Sequence, residues 1–129
     1  MLKILIVDDD PDVLEMWTDM VARVAPEVTG LLIDLRTAES AYQAIRILGQ
    51  WTPDVLVTDV RMPGMGGIEL LGEIRRRHPP FACYLVTGHP DAPEVVEALE
   101  SGLAKSVIAK PFTVDTIRLW FMSVAYFDV

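Results

Sequence analysis

Residues 54–71 read DVLVTDVRMPGMGGIELL, and the fold follows from them. Val55, Leu56, Val57 and Thr58 form a short apolar, β-branched run. Pro53 bounds it on one side, and Pro63, Gly64, Gly66 and Gly67 on the other, so it reads as a buried strand that ends in a loop. Asp59 stands where the strand stops. Ile68, Leu71 and Ile74 then recur at helical spacing. One carboxylate is therefore held at the C-terminal tip of a buried strand, the edge at which open parallel α/β sheets bind ligands. Taken alone, Asp59 reads more readily as a turn carboxylate that bonds its own backbone.

The same unit recurs along the chain. Residues 3–7 (KILIV) form a continuous apolar strand, followed by Asp8, Asp9, Asp10 and Pro11. Asp10 before Pro11 is a helix start, with an acid at the N-cap and proline in the first helical position. A helix is expected to about Val24, with Val13, Trp17, Met20, Val21 and Val24 on one face. Trp17 and the methionines are read as core. Residues 31–36 form a second strand, and Ala41, Ala44, Ile45 and Leu48 a helix that stops at Gly49. After the central stretch, residues 82–86 give a fourth strand, ending at Thr87-Gly88. Pro93 starts a helix with Val95, Val96 and Leu99 inward, closed by Gly102. Residues 106–109 give a fifth strand, followed by Lys110-Pro111, and a last helix is expected over 113–126.

Five β-α repeats imply a parallel sheet covered by helices on both faces. Right-handed crossovers leave few topologies. The expected fold is α/β, a flavodoxin-like (βα)5 doubly wound sheet with strand order 2-1-3-4-5. A chain of 129 residues, 51% of them apolar, suits one domain with one core, over residues 1–129. A net charge of −8 argues against a nucleic-acid surface. The Arg75-Arg76-Arg77 trio reads as the solvated end of a helix. Cys83, the single cysteine, permits no internal disulfide, so a reducing, cytoplasmic setting is expected. No apolar run approaches the ~18 residues of a membrane span. His78 and His89 have no partner at metal-ligand spacing, and His78 is expected to be exposed at a helix end.

In such a sheet all strand C-termini share one edge. The first strand brings Asp8 and Asp9 there, the third Asp59, the fourth Thr87 and the fifth Lys110. Neighbouring tips lie about 5 Å apart. Carboxylates that close repel by roughly 3 kcal/mol per pair at an effective dielectric near 20. A hard divalent cation offsets this, and Mg²⁺ fits best because it takes one or two carboxylates, water and a phosphate. Carboxylate nucleophile, Mg²⁺, lysine and hydroxyl together suit phosphoryl transfer to an aspartate.

The motifs Ile4-Leu5-Ile6-Val7-Asp8-Asp9-Asp10-Pro11, Asp59 with Met62-Pro63-Gly64-Met65, Val86-Thr87-Gly88 and Lys110-Pro111-Phe112 resemble those of a response-regulator receiver domain of two-component signalling. The resemblance covers nearly the whole chain. It implies that Asp59 is the phosphoacceptor, that Asp9 binds Mg²⁺ directly and Asp8 mainly through water, and that the backbone carbonyl of Arg61 completes the metal site. It implies that Thr87 and Lys110 contact the phosphoryl oxygens, that the donor is a sensor histidine kinase or a phosphotransfer protein, and that a cis peptide precedes Pro111. Such a domain is a bacterial signalling switch that promotes its own phosphotransfer and autodephosphorylation, and not an enzyme in the usual sense. No output domain is expected in this chain. Arg61 and His89 flank the pocket, either tuning water access or as solvated side chains.

Three features depart from the family pattern. Val107 stands where Tyr or Phe usually precedes the lysine, and valine cannot make the same large rotation. The segment from Gly102 to Lys110 is one residue longer than usual. Gly66 stands where Asp or Asn usually caps the third helix. The last helix is apolar around most of its circumference (Ile117, Leu119, Trp120, Phe121, Met122, Val124, Ala125, Tyr126, Phe127), which implies a homodimer or partner contact through the fourth and fifth helices.

Two other functions are open to the same residues. One is a receiver-like interaction module that works without phosphate, which Val107 keeps in play. The other is a haloacid-dehalogenase-like phosphatase, which needs a second acid two residues after its nucleophile, where this chain has Arg61. Flavin or nucleotide binding lacks a phosphate loop after the first strand.

Overall fold

The computed structural model describes residues 1–128, with side chains described through Tyr126. Phe127 of the expected apolar helix thus has its side chain outside the described residues. Ten elements alternate: β1 (Leu2–Val7), α1 (Pro11–Val28), β2 (Ile33–Ala38), α2 (Ala41–Leu48), β3 (Val55–Asp59), α3 (Gly67–Arg77), β4 (Ala82–Thr87), α4 (Pro93–Glu100), β5 (Ser106–Ala109) and α5 (Val114–Ser123). A wider π-type turn over Val124–Asp128 follows α5. The five strands are parallel in the order β2-β1-β3-β4-β5, as the alternation predicts.

Central strands β1 and β3 are buried on both faces, which is why they read as unbroken apolar runs. One core cluster joins Ile4, Ile6, Val55 and Val57 to α1 and α5. In it Trp17 lies 5.2 Å from Phe112 and 5.4 Å from Trp120, ring to ring, and Trp120 lies 5.9 Å from Tyr84. The other cluster joins Leu5, Val7, Leu56 and Leu85 to α2, α3 and α4. Cys83 is buried there, and burial pushes its thiol up to about 12.

Four boundaries or faces differ from the sequence expectation. β2 starts at Ile33 and runs to Ala38, because Ile33 pairs with Leu2 and Ala38 with Val7, leaving Leu31 and Leu32 exposed. α1 continues to Val28 through Pro26, which sits in the exposed last turn while Val24 and Ala25 stay buried. Val96 faces solvent. The inward residues of α4 are Val95 and Ala98, with Leu99 half-buried. His78 is half-buried as the C-cap of α3, its N–H bonded to the Ile74 carbonyl.

The helix starts are set by local contacts, at Asp10 as expected. Asp10 caps α1, accepting from the Asp12 N–H at 2.9 Å. Thr113 and Thr116 form a reciprocal capping box at α5. Gly66 caps α3 with backbone alone. Strand β5 pairs with β4 in parallel, Val107 opposite Leu85 and Ala109 opposite Thr87.

Candidate functional site: an acidic cluster with a lysine at the sheet edge

Pairing carries each polar residue to the same edge. β1 and β3 are neighbours, with Val7 opposite Thr58, so Asp8 follows one strand tip and Asp59 ends the other. Asp59 pairs with Val86, one residue before Thr87, and Thr87 pairs with Ala109, one residue before Lys110. Five residues separated by up to 102 positions thereby converge.

Asp8, Asp9 and Asp59 each offer a carboxylate oxygen, and the three oxygens lie within 4.8 Å of one another. Asp8 is buried, Asp9 exposed and Asp59 half-buried. Asp8 is oriented by the Asp10 N–H, which donates to its Oδ1 at 2.9 Å. Asp59 is oriented by the Val60 N–H, which donates to its Oδ1 at 3.1 Å. Lys110 reaches in from β5, its Nζ 3.2 Å from Asp59 Oδ1 and 3.9 Å from Asp8 Oδ2. Lys110 is thus a buried-edge cation and not a free surface lysine. The peptide bond from Lys110 to Pro111 is cis.

Burial dominates the electrostatics. It raises the Asp8 carboxyl above its ordinary value. The Asp10 N–H and Lys110 oppose that shift, and the Asp59 and Asp9 charges add to it. Burial likewise raises Asp59, against the pull of the Lys110 ammonium. One lysine therefore compensates the cluster only in part. The donor set is oxygen alone, small and partly desolvated, which is the chemistry of a site for a hard divalent cation.

Thr87 is buried, and its hydroxyl oxygen accepts from the His89 N–H at 3.0 Å. The turn-capping role is therefore real, and it holds the hydroxyl at the edge beside Asp59's strand. The Lys110 N–H donates to the Thr87 carbonyl at 2.8 Å, tying the two tips together. Arg61 and His89 both have exposed side chains at the rim.

Two supports were not visible in the sequence reading. Gly67 opens α3 against the backbone of Asp59, and its N–H donates to the Val60 carbonyl at 2.9 Å. Tyr42, on α2, bears on Gly64 in the loop after β3. The run of three glycines signalled a special loop, but nothing local named its contacts.

Residues 4–120 match the family described as response regulator receiver domain. The chain is 37% identical to the DNA-binding transcriptional regulator NtrC of Klebsiella pneumoniae over 110 residues, 85% of this chain and 22% of that protein. It is 32% identical to the C4-dicarboxylate transport transcriptional regulatory protein DctD of Pseudomonas aeruginosa over 115 residues, 89% of this chain and 23% of that protein. The chain thus spans less than a quarter of the length of these relatives. Among solved structures, the receiver domain of NtrX from Brucella abortus superposes with a TM-score of 0.77 at 27% identity, covering 95% of this chain and 98% of that one. The chemotaxis response regulator CheY4 of Vibrio cholerae shares the fold, with a TM-score of 0.81 at 23% identity over 96% of this chain and 98% of that one. With this fold, this edge and these matches, the chain belongs to the response regulator receiver domain family.

Proposed function

We propose that this domain is a phosphorylatable switch in which Asp59 accepts a phosphoryl group from a histidine kinase or a phosphotransfer protein. The carrying observation is the Lys110 Nζ, 3.2 Å from Asp59 Oδ1, inside a cluster of three carboxylates. An ionised Asp59 oxygen attacks phosphorus. The new P–O bond forms as the P–N bond of the donor phosphohistidine breaks, and the imidazole nitrogen leaves with the electron pair. No separate base is needed. Lys110 holds its charge where negative charge accumulates on the phosphoryl oxygens, and the Thr87 hydroxyl stands beside them as a donor. Asp8, Asp9, Asp59 and the Arg61 carbonyl are the groups that would hold Mg²⁺, which when bound neutralises charge on the transferring group. Hydrolysis returns the carboxylate: water attacks phosphorus, the acyl P–O bond breaks, and inorganic phosphate leaves. The exposed Arg61 and His89 side chains, two residues after Asp59 and Thr87, would tune the access of that water.

The domain acts as a cytoplasmic signalling switch, with its phosphorylated state read by a partner or an attached output region. Among the described residues no helix is long and apolar enough to cross a membrane. Leu119, Met122 and Tyr126 on the last helix and Val96 on α4 are exposed, which supports a second copy or a partner docking across these helices.

A phosphate-independent interaction module is the second reading, favoured by Val107, which is half-buried against the second core cluster. The phosphatase reading lacks its second acid. Incubation with Mg²⁺ and a small acyl-phosphate donor, followed by intact mass measurement, separates these. One added phosphate that disappears in Asp59→Asn supports the switch. Absence of an adduct with Mg²⁺ bound supports the module, and sustained turnover of phosphate esters supports the phosphatase.

A further inference from the structure

We propose that Tyr42 is a positioning residue for the β3–α3 loop, steadying the segment that carries Arg61 and so setting metal affinity and the lifetime of the phosphorylated state. The inference rests on the function proposed above.

Among the described residues, the backbone hydrogen bonds that tie this loop lie at its ends. At one end Val60 bonds Asp59 and the Val86 carbonyl. At the other, the Gly67 N–H returns to the Val60 carbonyl at 2.9 Å, and Gly67 abuts the Asp59 backbone. Between them run residues 61–66, with Gly64 and Gly66 and no side-chain cap on α3. Met62 and Met65 dip against the second core cluster. Gly64, the exposed apex, has φ +76°, a conformation that costs glycine little and other residues more.

Tyr42 meets that apex. A Cβ built on Gly64 would lie 3.0 Å from Tyr42 Cε2, 3.3 Å from its hydroxyl oxygen and 3.6 Å from Cζ. The ring tip thus occupies the space a side chain at position 64 would take. Buried Ala41 and Ala44 fix α2 beneath it, so the ring stands on a rigid base. Tyr42 is 56% exposed, with much of its surface in solvent and its tip on the loop. A large ring whose tip fills the space beside Gly64 limits where the loop apex can move, and so acts as a strut. Without it, the glycine-rich segment that begins at Arg61 gains conformational freedom, and so does the Arg61 carbonyl that would hold the metal. Groups that orient metal ligands from outside the coordination sphere commonly influence affinity strongly.

The test uses the purified chain with Tyr42→Ala and Tyr42→Phe. In Tyr42→Ala, Mg²⁺ titrated calorimetrically is expected to bind about tenfold more weakly. The aspartyl-phosphate lifetime shortens by a similar factor. Hydrogen exchange at residues 61–66 accelerates in the metal-free protein, while the melting temperature stays close to the parent's. Tyr42→Phe keeps the ring and retains the parent behaviour. Unchanged Mg²⁺ affinity and unchanged exchange in Tyr42→Ala overturn the proposal, as does a Tyr42→Phe variant equally impaired. A parent protein that binds no Mg²⁺ overturns the proposed function instead, and the exchange of residues 61–66 still decides whether Tyr42 is the strut.

Discussion

A Cβ on Gly67 would lie 2.1 Å from the carbonyl oxygen of Asp59. That distance makes the first residue of α3 part of the support of Asp59. The helix can start where it does only because this position has no side chain. Backbone, and not a flexible side chain, is what a substituent would strike, with the Asp59 carbonyl carbon at 3.0 Å and Thr58 Cγ2 at 3.1 Å beyond it.

Gly67→Ala is therefore expected to destabilise the fold by about 1–3 kcal/mol, the range of overpacking in a closed site. The loss should appear in chemical denaturation, together with a slower gain of phosphate at Asp59. Parent stability in Gly67→Ala would mean that the start of α3 moves freely away from β3.

The raised Asp8 carboxyl sets a pH dependence. A carboxyl raised in the folded state holds its proton more tightly there than in the unfolded chain. Its stabilising contribution is present below the ordinary value of 3.8 and is lost as pH rises through the raised value. At neutral pH and without metal, charged Asp8 and Asp59 strain the fold. Asp8→Asn, whose side-chain oxygen can still accept from the Asp10 N–H, should melt several degrees higher than the parent in chelator at pH 7. The gap should shrink as pH approaches 4. Added Mg²⁺ should raise the parent's melting temperature more than the variant's. Thermal melts across pH, with and without Mg²⁺, check all three.

Lys110→Met keeps the length of the stem and removes the charge 3.2 Å from Asp59. The rate of phosphate gain from a small acyl-phosphate donor should fall about 100-fold, the scale of losing one preorganised donor to developing negative charge. The adduct should still map to Asp59. A rate within twofold of the parent would remove Lys110 from the chemistry.

Burial of Trp17 at 1% exposure, between Phe112 and Trp120, makes Trp17→Ala a core deletion. It should cost about 3–5 kcal/mol in urea unfolding. A smaller loss would mean that α1 and α5 close over the gap.

If the exposed Leu119 and Met122 form a contact between copies, association should depend on them. Sedimentation equilibrium should show a concentration-dependent dimer that Leu119→Glu abolishes without lowering the melting temperature. A parent that stays monomeric at high concentration removes this surface from consideration.

The order and type of the elements, and the identity of the polar residues at the strand tips, were set by the sequence itself. Apolar β-branched runs that end in Asp59, Thr87 or just before Lys110 are local patterns, and local patterns survive without knowledge of neighbours. So does the cap at Asp10-Pro11, whose hydrogen bond closes within two residues. What the chain kept hidden depends on partners far away in sequence. The edge register of β2 came from pairing Ile33 with Leu2, and not from the apolar look of Leu31 and Leu32. Val96 turned outward because Ala98 fills the inner face of α4. The depth of Asp8, the contact of Gly67 with Asp59 and the meeting of Tyr42 with Gly64 are all products of assembly, because desolvation and close approach exist only once separate segments are brought together.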